Sequence, residues 1–443
     1  MTLNGDLRVM ASPSTRVVHT PTWFDSLLFL TLMSGPPKFR GRDPLASLTG
    51  AIDLVVIVHV AVWICGGLWV LARLYPGVLR RGIVPPLNPA QTVGALFIAA
   101  LMLSVWESPG LLLTAFTLGQ FVVMLSFVWV FTHRFGTSAC LRHLFIGVSL
   151  LAVATAAALL LSPALVAGEA AVETGIVIGQ TRIVGNNLTD VGSVAVIGLV
   201  LCLSSVPRLR APIFWVALCL FGGLLIASRT RSAYIALLSF LVIGFTHGRG
   251  LRVRQLIVPL VAFGFGLIAM DAMTSTTDYL VRDLRSIETL SDRIPLWQHL
   301  TSTVMREAPL TGLGYYAASR VYASEYNRGL GNAHSVFFEV LVGGGILGAT
   351  AYLVLCGSLV WFAVRLMSLA KGRSGALAAT GLLSVALLSG VTSPEGIHAG
   401  PLGFAFWSTT ALLPGLLREA NRARTVAVQR PHARKSSLRL RPA

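Results

Sequence analysis

The chain has 443 residues, of which 54% are hydrophobic and only 12% charged, against about 25% charged in a soluble domain. This composition excludes the two or three soluble domains that the length alone would allow. The balance of 35 Lys+Arg against 18 Asp+Glu gives +17, a surplus that would suit a nucleic-acid binder unless topology explains it.

In chain order the apolar runs predict about 12 transmembrane helices, several of them reaching the roughly 20 residues needed to cross a bilayer. They fall at about 22–34, 50–73, 90–106, 110–132, 143–167, 188–205, 211–227, 231–247, 255–272, 335–364, 375–391 and 401–417. The first is short, contains Asp25 and lacks a small-residue cleavage site, so it reads as an uncleaved span. The tenth is too long for one straight crossing. It is expected to begin as a tilted or interfacial segment and to become a span near Gly343–Gly345. No internal repeat is visible, which leaves the repeat halves of many transporters without support. The expected fold is an all-α polytopic membrane protein with a single transmembrane domain over 1–417. A large extracytoplasmic loop with an amphipathic helix (273–334) separates helices 9 and 10, and a basic cytoplasmic tail follows over 418–443.

Short-loop Lys and Arg set the orientation. Loops after the even-numbered spans hold Arg80, Arg81, Arg134, Arg142, Arg208, Arg210, Arg249, Arg252, Arg254, Lys371 and Arg373, and the tail adds eight more. Those nineteen basic residues put the loops and both termini in the cytoplasm beside anionic lipid, so no nucleic-acid partner is needed. Lys38, Arg40 and Arg42 dissent. Removing the first span would fix them and invert every later loop, so the span is kept.

The five cysteines, Cys65, Cys140, Cys202, Cys219 and Cys356, have no CxxC spacing and read as small apolar packing residues. Cys140 is placed in a short basic loop beside Arg142. The sequence contains no phosphate loop, no HExxH, no Asp-x-Asp and no Gly-x-Ser-x-Gly. No cofactor or metal is expected. His59, inside the second span, reads as a helix-packing residue, and Asp53 and His59 do not share a helical face.

Three extracytoplasmic features carry chemistry. Arg229 and Arg231 sit in the tight turn from Ser228 to Ser232, on the side that topology disfavours, and guanidinium grips phosphate bidentately. Ser291-Asp292 can cap a helix starting at Arg293 and stopping before Pro309. Trp297, Leu300 and Val304 give it one apolar face, read as resting on the bilayer with Trp297 as anchor. His299 is placed on its polar face. Pro309 to Gly314 makes a glycine turn. His334 follows in Gly331-Asn332-Ala333-His334-Ser335, where polar loop meets apolar helix.

These residues resemble the bacterial O-antigen ligase and O-antigen polymerase superfamily of membrane glycosyltransferases. The ligase signature is similar to His334-Ser335, nine residues Val336 to Gly344, then Gly345, Ile346-Leu347 and Gly348. Arg293 with Trp297, then Pro309, Gly312 and Gly314, and the turn at Arg229 and Arg231 fit the same pattern. The likeness is strongest over about 185–360. It implies transfer of a glycan from undecaprenyl pyrophosphate to a sugar hydroxyl outside the inner membrane, without metal or nucleotide. In a ligase the acceptor is lipid A core oligosaccharide; in a polymerase it is another lipid-linked repeat. The resemblance assigns catalysis to His334, Arg229 and Arg231, and substrate binding to Arg293, Asn332, Ser335, Gly312 and Gly314. Asp190, Asp292 and Glu339 are candidate partners behind them. The rival from another class is a transporter or lipid flippase, which repeat symmetry or paired mid-span charges would favour.

Overall fold

The computed structural model describes residues 19–35, 54–81, 86–161, 191–204, 206, 209–228, 230–246, 293–326, 332–370, 374–393 and 396–438. Among these residues all regular structure is helical. In order the α-helices are α1 (Trp23–Ser34), α2 (Leu54–Arg81), α3 (Pro89–Met102), α4 (Leu111–Phe135), α5 (Thr137–Leu161), α6 (Val191–Leu203), α7 (Ala211–Ser228), α8 (Arg231–Thr246), α9 (Arg293–Glu307), α10 (Ala317–Tyr326), α11 (Val336–Leu369), α12 (Ser374–Thr392) and α13 (Pro401–Leu438). Seven helices are long and apolar enough to cross a membrane. Helices α1 and α6, and Ser232–Thr246 within α8, are apolar but shorter. The expected span at 255–272 lies outside the described residues.

The helices form one bundle around a shared core. Every residue of α6 is buried, so this helix is a central pillar. Where no water reaches, a helix satisfies its own backbone and close side-chain packing holds the helices together. Phe29, Phe97, Phe121, Phe127, Phe131 and Trp407 fill the interior almost without exposure.

Local bonds let the first helix carry the buried Asp25 in its first turn. Thr22 and Asp25 form a capping box. The Asp25 carboxylate also accepts from Trp69 at 2.7 Å and Arg73 at 2.6 Å. A buried carboxylate is tolerable only when paired and hydrogen-bonded in this way. Twelve residues rise only about 18 Å, less than the hydrocarbon thickness of about 30 Å. At its far end Gly35 meets a recessed loop rather than open surface. A Cβ there would lie 3.1 Å from the Gly400 Cα. The recess is real: the ring of His398, in the same loop, lies 6.1 Å from that of Phe121 at a tilt, and Phe121 is well inside α4.

One local expectation shifts. Helix α5 starts at Thr137, six residues before the expected span, so Cys140 is a buried helical residue and not part of a loop. The His143 ring explains the extension: it contacts Ala139 O at 2.8 Å and Ser26 Oγ at 2.9 Å, tying this turn to α1. At the other end of the chain, α13 runs on into the residues read as the basic tail. The long tenth run is broken at Gly345, which has φ 60 and ψ −158 inside α11. That break sits where excess length and clustered glycines place it.

Candidate active site

The site is built on α9, α10 and the two halves of α11. Helix α9 begins at Arg293 and ends at Glu307, matching its expected start and its stop before Pro309. Leu296, Leu300 and Val304 are fully buried and cluster with Leu313, Ala333, Leu341 and Val342. The apolar face of α9 is therefore spent on α11 and on the segment before it, which corrects the bilayer-resting reading. Trp297 likewise is no free anchor. Its indole stacks on Phe338 at 4.5 Å and 14° and donates to Ala333 O at 2.8 Å. His299 turns its ring to Tyr326 at 5.4 Å rather than to an open polar face.

The glycine turn after α9 docks on the α11 break by backbone pairing. Leu313 N–H donates to Val342 O at 2.9 Å, and Gly314 N–H to Gly343 O at 3.2 Å. Ile346 N–H in turn donates to Pro309 O at 2.9 Å. The break frees backbone groups, and this turn satisfies them, as buried backbone requires. Gly312 has φ 75, and a Cβ on it would stand 2.4 Å from Gly345 N. A Cβ on Gly314 would meet Ser108 at 2.3 Å. Both glycines are thus fixed by close approach and positive φ.

His334 sits at the hinge. Its φ of 53 puts it in the left-handed region, which is uncommon for a residue with a side chain, though less so for histidine. Asn332 Oδ1 accepts from His334 N–H at 2.8 Å and stabilises this turn. Ser335 is buried at the N-cap of α11; it makes no side-chain cap bond, and its carbonyl accepts from Glu339 N–H at 2.9 Å. Arg293 reaches the end of α12 and donates to Thr392 O at 3.1 Å. Burial, and then the nearby Arg293 cation, hold the His334 imidazole below its ordinary value of 6.5. Near neutral pH it is therefore the uncharged, proton-accepting form.

Of the expected site residues, the structure joins His334, Asn332, Ser335 and Arg293 around one turn, with Gly312 and Gly314 supporting the hinge. Arg229 lies outside the described residues, as does the Arg231 side chain. The tight turn that carries them is present: α7 ends at Ser228 and α8 starts at Arg231. It packs on the start of α6, where a Cβ on Gly192 would lie 2.7 Å from Thr230 Oγ1. Asp190 and Asp292 lie outside the described residues.

Sequence reading missed a second polar cluster beside this turn. Tyr315 is fully buried, with its hydroxyl 3.3 Å from His398 Nε2 and its carbonyl accepting from Thr114 Oγ1 at 2.8 Å. Burial, and then the charge of Glu339, push its phenol well above the ordinary range, so it stays protonated. Arg320 lies over the Tyr316 ring and pairs with Glu339 at 3.2 Å. A lone Arg in a short helix carries no local signal of such a pairing.

A polar turn on a broken helix, set among helices long and apolar enough to cross a membrane, is the build of an integral membrane protein. Residues 214–353, which span α8, α9, α10 and the α11 break, match the family described as O-antigen ligase. Over this stretch, about a third of the chain, the protein is similar to that family. No curated protein matches the chain.

Proposed function

We propose that the protein is an O-antigen ligase-like glycosyltransferase. It moves a glycan from undecaprenyl pyrophosphate to a hydroxyl of lipid A core oligosaccharide on the extracytoplasmic face of the bacterial inner membrane. The observation that carries this reading is the meeting of a neutral His334 imidazole and the Arg293 cation at one strained turn, inside the matched region.

The chemistry follows from charge. The acceptor oxygen attacks the anomeric carbon of the donor sugar as the bond from that carbon to the pyrophosphate oxygen breaks. The electron pair leaves on pyrophosphate, and the acceptor proton passes to the His334 imidazole. Fixed cations stabilise the charge growing on the leaving group without reorganising. Arg293, Arg229 and Arg231 are assigned that task, and no metal is invoked. Placement supports the set. Ser239 of α8 lies 2.9 Å from Ser384 of α12. Arg231 and Thr392 are each eight residues from that contact, about 12 Å along their helices. With the alternating topology expected from the loops, both lie at the same end of the bundle, and Arg293 already holds Thr392 there.

The test is transfer in vitro with purified protein, a lipid-linked glycan donor and either acceptor. Modified lipid A core is the expected product. Longer lipid-linked chains would instead make it a polymerase, and no transfer to either acceptor would sink the reading.

A further inference from the structure

Two non-glycine residues among the described ones have left-handed backbones, Tyr316 at φ 71 and His334 at φ 53. One buried carboxylate serves both. Glu339 is fully buried in the first turn of α11. It accepts from Ser319 Oγ at 2.5 Å, Arg320 at 3.2 Å and Ala333 N–H at 3.4 Å. Ala333 precedes His334. Arg320 donates to Tyr316 O at 2.8 Å and lies over the Tyr316 ring, its guanidinium carbon 3.2 Å from the centroid. The Tyr316 ring in turn stands edge-on to His398 at 4.8 Å.

A buried ion pair adds little net stability over apolar packing of the same shape, so its presence calls for another reason. A helix N-terminus favours a carboxylate, yet that does not explain why this one reaches back to Ala333 and across to α10. Each of those bonds fixes one of the two strained turns, and a strained turn persists only where its surroundings over-determine it.

We propose that Glu339, paired with Arg320, is the positioning residue that holds His334 in its left-handed turn. It thereby sets the distance from the imidazole to the acceptor hydroxyl. The structural half stands on geometry alone; the kinetic half rests on the glycan-transfer reading.

The test uses the full chain in detergent with two variants. Glu339→Gln keeps the volume and one acceptor oxygen but loses the charge. Glu339→Ala removes the link. Amide hydrogen exchange of the peptide covering 332–336 reads the turn directly. Exchange there is expected to rise about ten-fold in Glu339→Ala, and less in Glu339→Gln, with helices that Glu339 does not touch unchanged. Turnover is expected to fall by about 10- to 100-fold while the donor KM stays within about two-fold, because misplacement of a base lowers kcat. The order of kcat should be wild type, then Gln, then Ala. Should Glu339→Ala fail to fold, Glu339→Gln carries the test alone. Unchanged exchange at 332–336 overturns the proposal, as does faster exchange with unchanged kcat. Absence of transfer by wild type would sink the glycan-transfer reading instead, and the exchange result would still decide the structural half.

Discussion

Trp297 donates its indole N–H to the carbonyl of Ala333, 36 residues further along the chain, at 2.8 Å. One side chain of α9 thus holds the backbone immediately before His334. Trp297→Phe keeps a ring to stack on Phe338 and removes only the donor. The expected cost is about 1 kcal/mol of stability, read as a small drop in the detergent melting midpoint. Turnover should fall by roughly ten-fold, because the turn loosens at its carbonyl side. A variant with wild-type kcat would show that this bond does not position the histidine.

The glycine hinge gives a steric prediction. Gly312→Ala places a Cβ against the Gly345 backbone and strains a positive φ. Overpacking plus strain should cost about 2–4 kcal/mol. Gly119→Ala, where a Cβ meets nothing within 4 Å, is the matched control and should be neutral or slightly stabilising in its helix. Comparable melting midpoints for the two variants would contradict the close approach.

The acid limb of the rate profile should belong to His334. Its folded pKa is depressed by burial and then by Arg293, and the neutral form is the working base. Activity is therefore retained as pH falls through 6.5 and is lost only below it, at the depressed value. Arg293→Gln removes the cationic contribution, so the limb should move up towards 6.5. His334→Ala should lower turnover by about 10²- to 10⁴-fold. Measured kcat against pH decides this, and a limb that moves down in Arg293→Gln would reverse the electrostatic assignment.

If Arg229 and Arg231 grip the donor pyrophosphate, Arg229→Gln and Arg231→Gln should each raise the donor KM or lower kcat by about ten-fold or more. The double variant should be nearly inactive. Excess EDTA should leave the wild-type rate unchanged, since side-chain cations are assigned the role a metal would play. Wild-type kinetics in the double variant would remove both residues from the donor site.

Much of this arrangement is legible in sequence because it is local. Arg293 to Glu307 follows a Ser-Asp pair in sequence and precedes a proline, and α11 is too long and too glycine-rich to stay straight. His334 falls at the join of polar and apolar chain, where a hinge is expected. What escapes is long-range. Trp297 reads as a membrane anchor because a backbone acceptor 36 residues away leaves no trace in periodicity. His398 lies 83 residues from Tyr315, and nothing near either announces the contact. Glu339 stands out as a carboxylate in an apolar run, but its three donors come from elsewhere. The early start of α5 depends on α1, which supplies Ser26 to the His143 ring.

The contact between Gly35 and Gly400 also constrains the order of assembly. The first helix leaves the ribosome early, yet it docks against α5 and α13 as well as α2, and its end rests on a loop made hundreds of residues later. Until that loop arrives, α1 has the Arg73 and Trp69 bonds to Asp25 and its packing on Gly66 and Gly147, but Gly35 lacks the loop it rests on. Non-local contacts of this kind are slow to form and leave apolar surface waiting for a partner. Truncation before Pro401 should therefore leave the far end of the first helix without part of its packing even though every residue of it has been made.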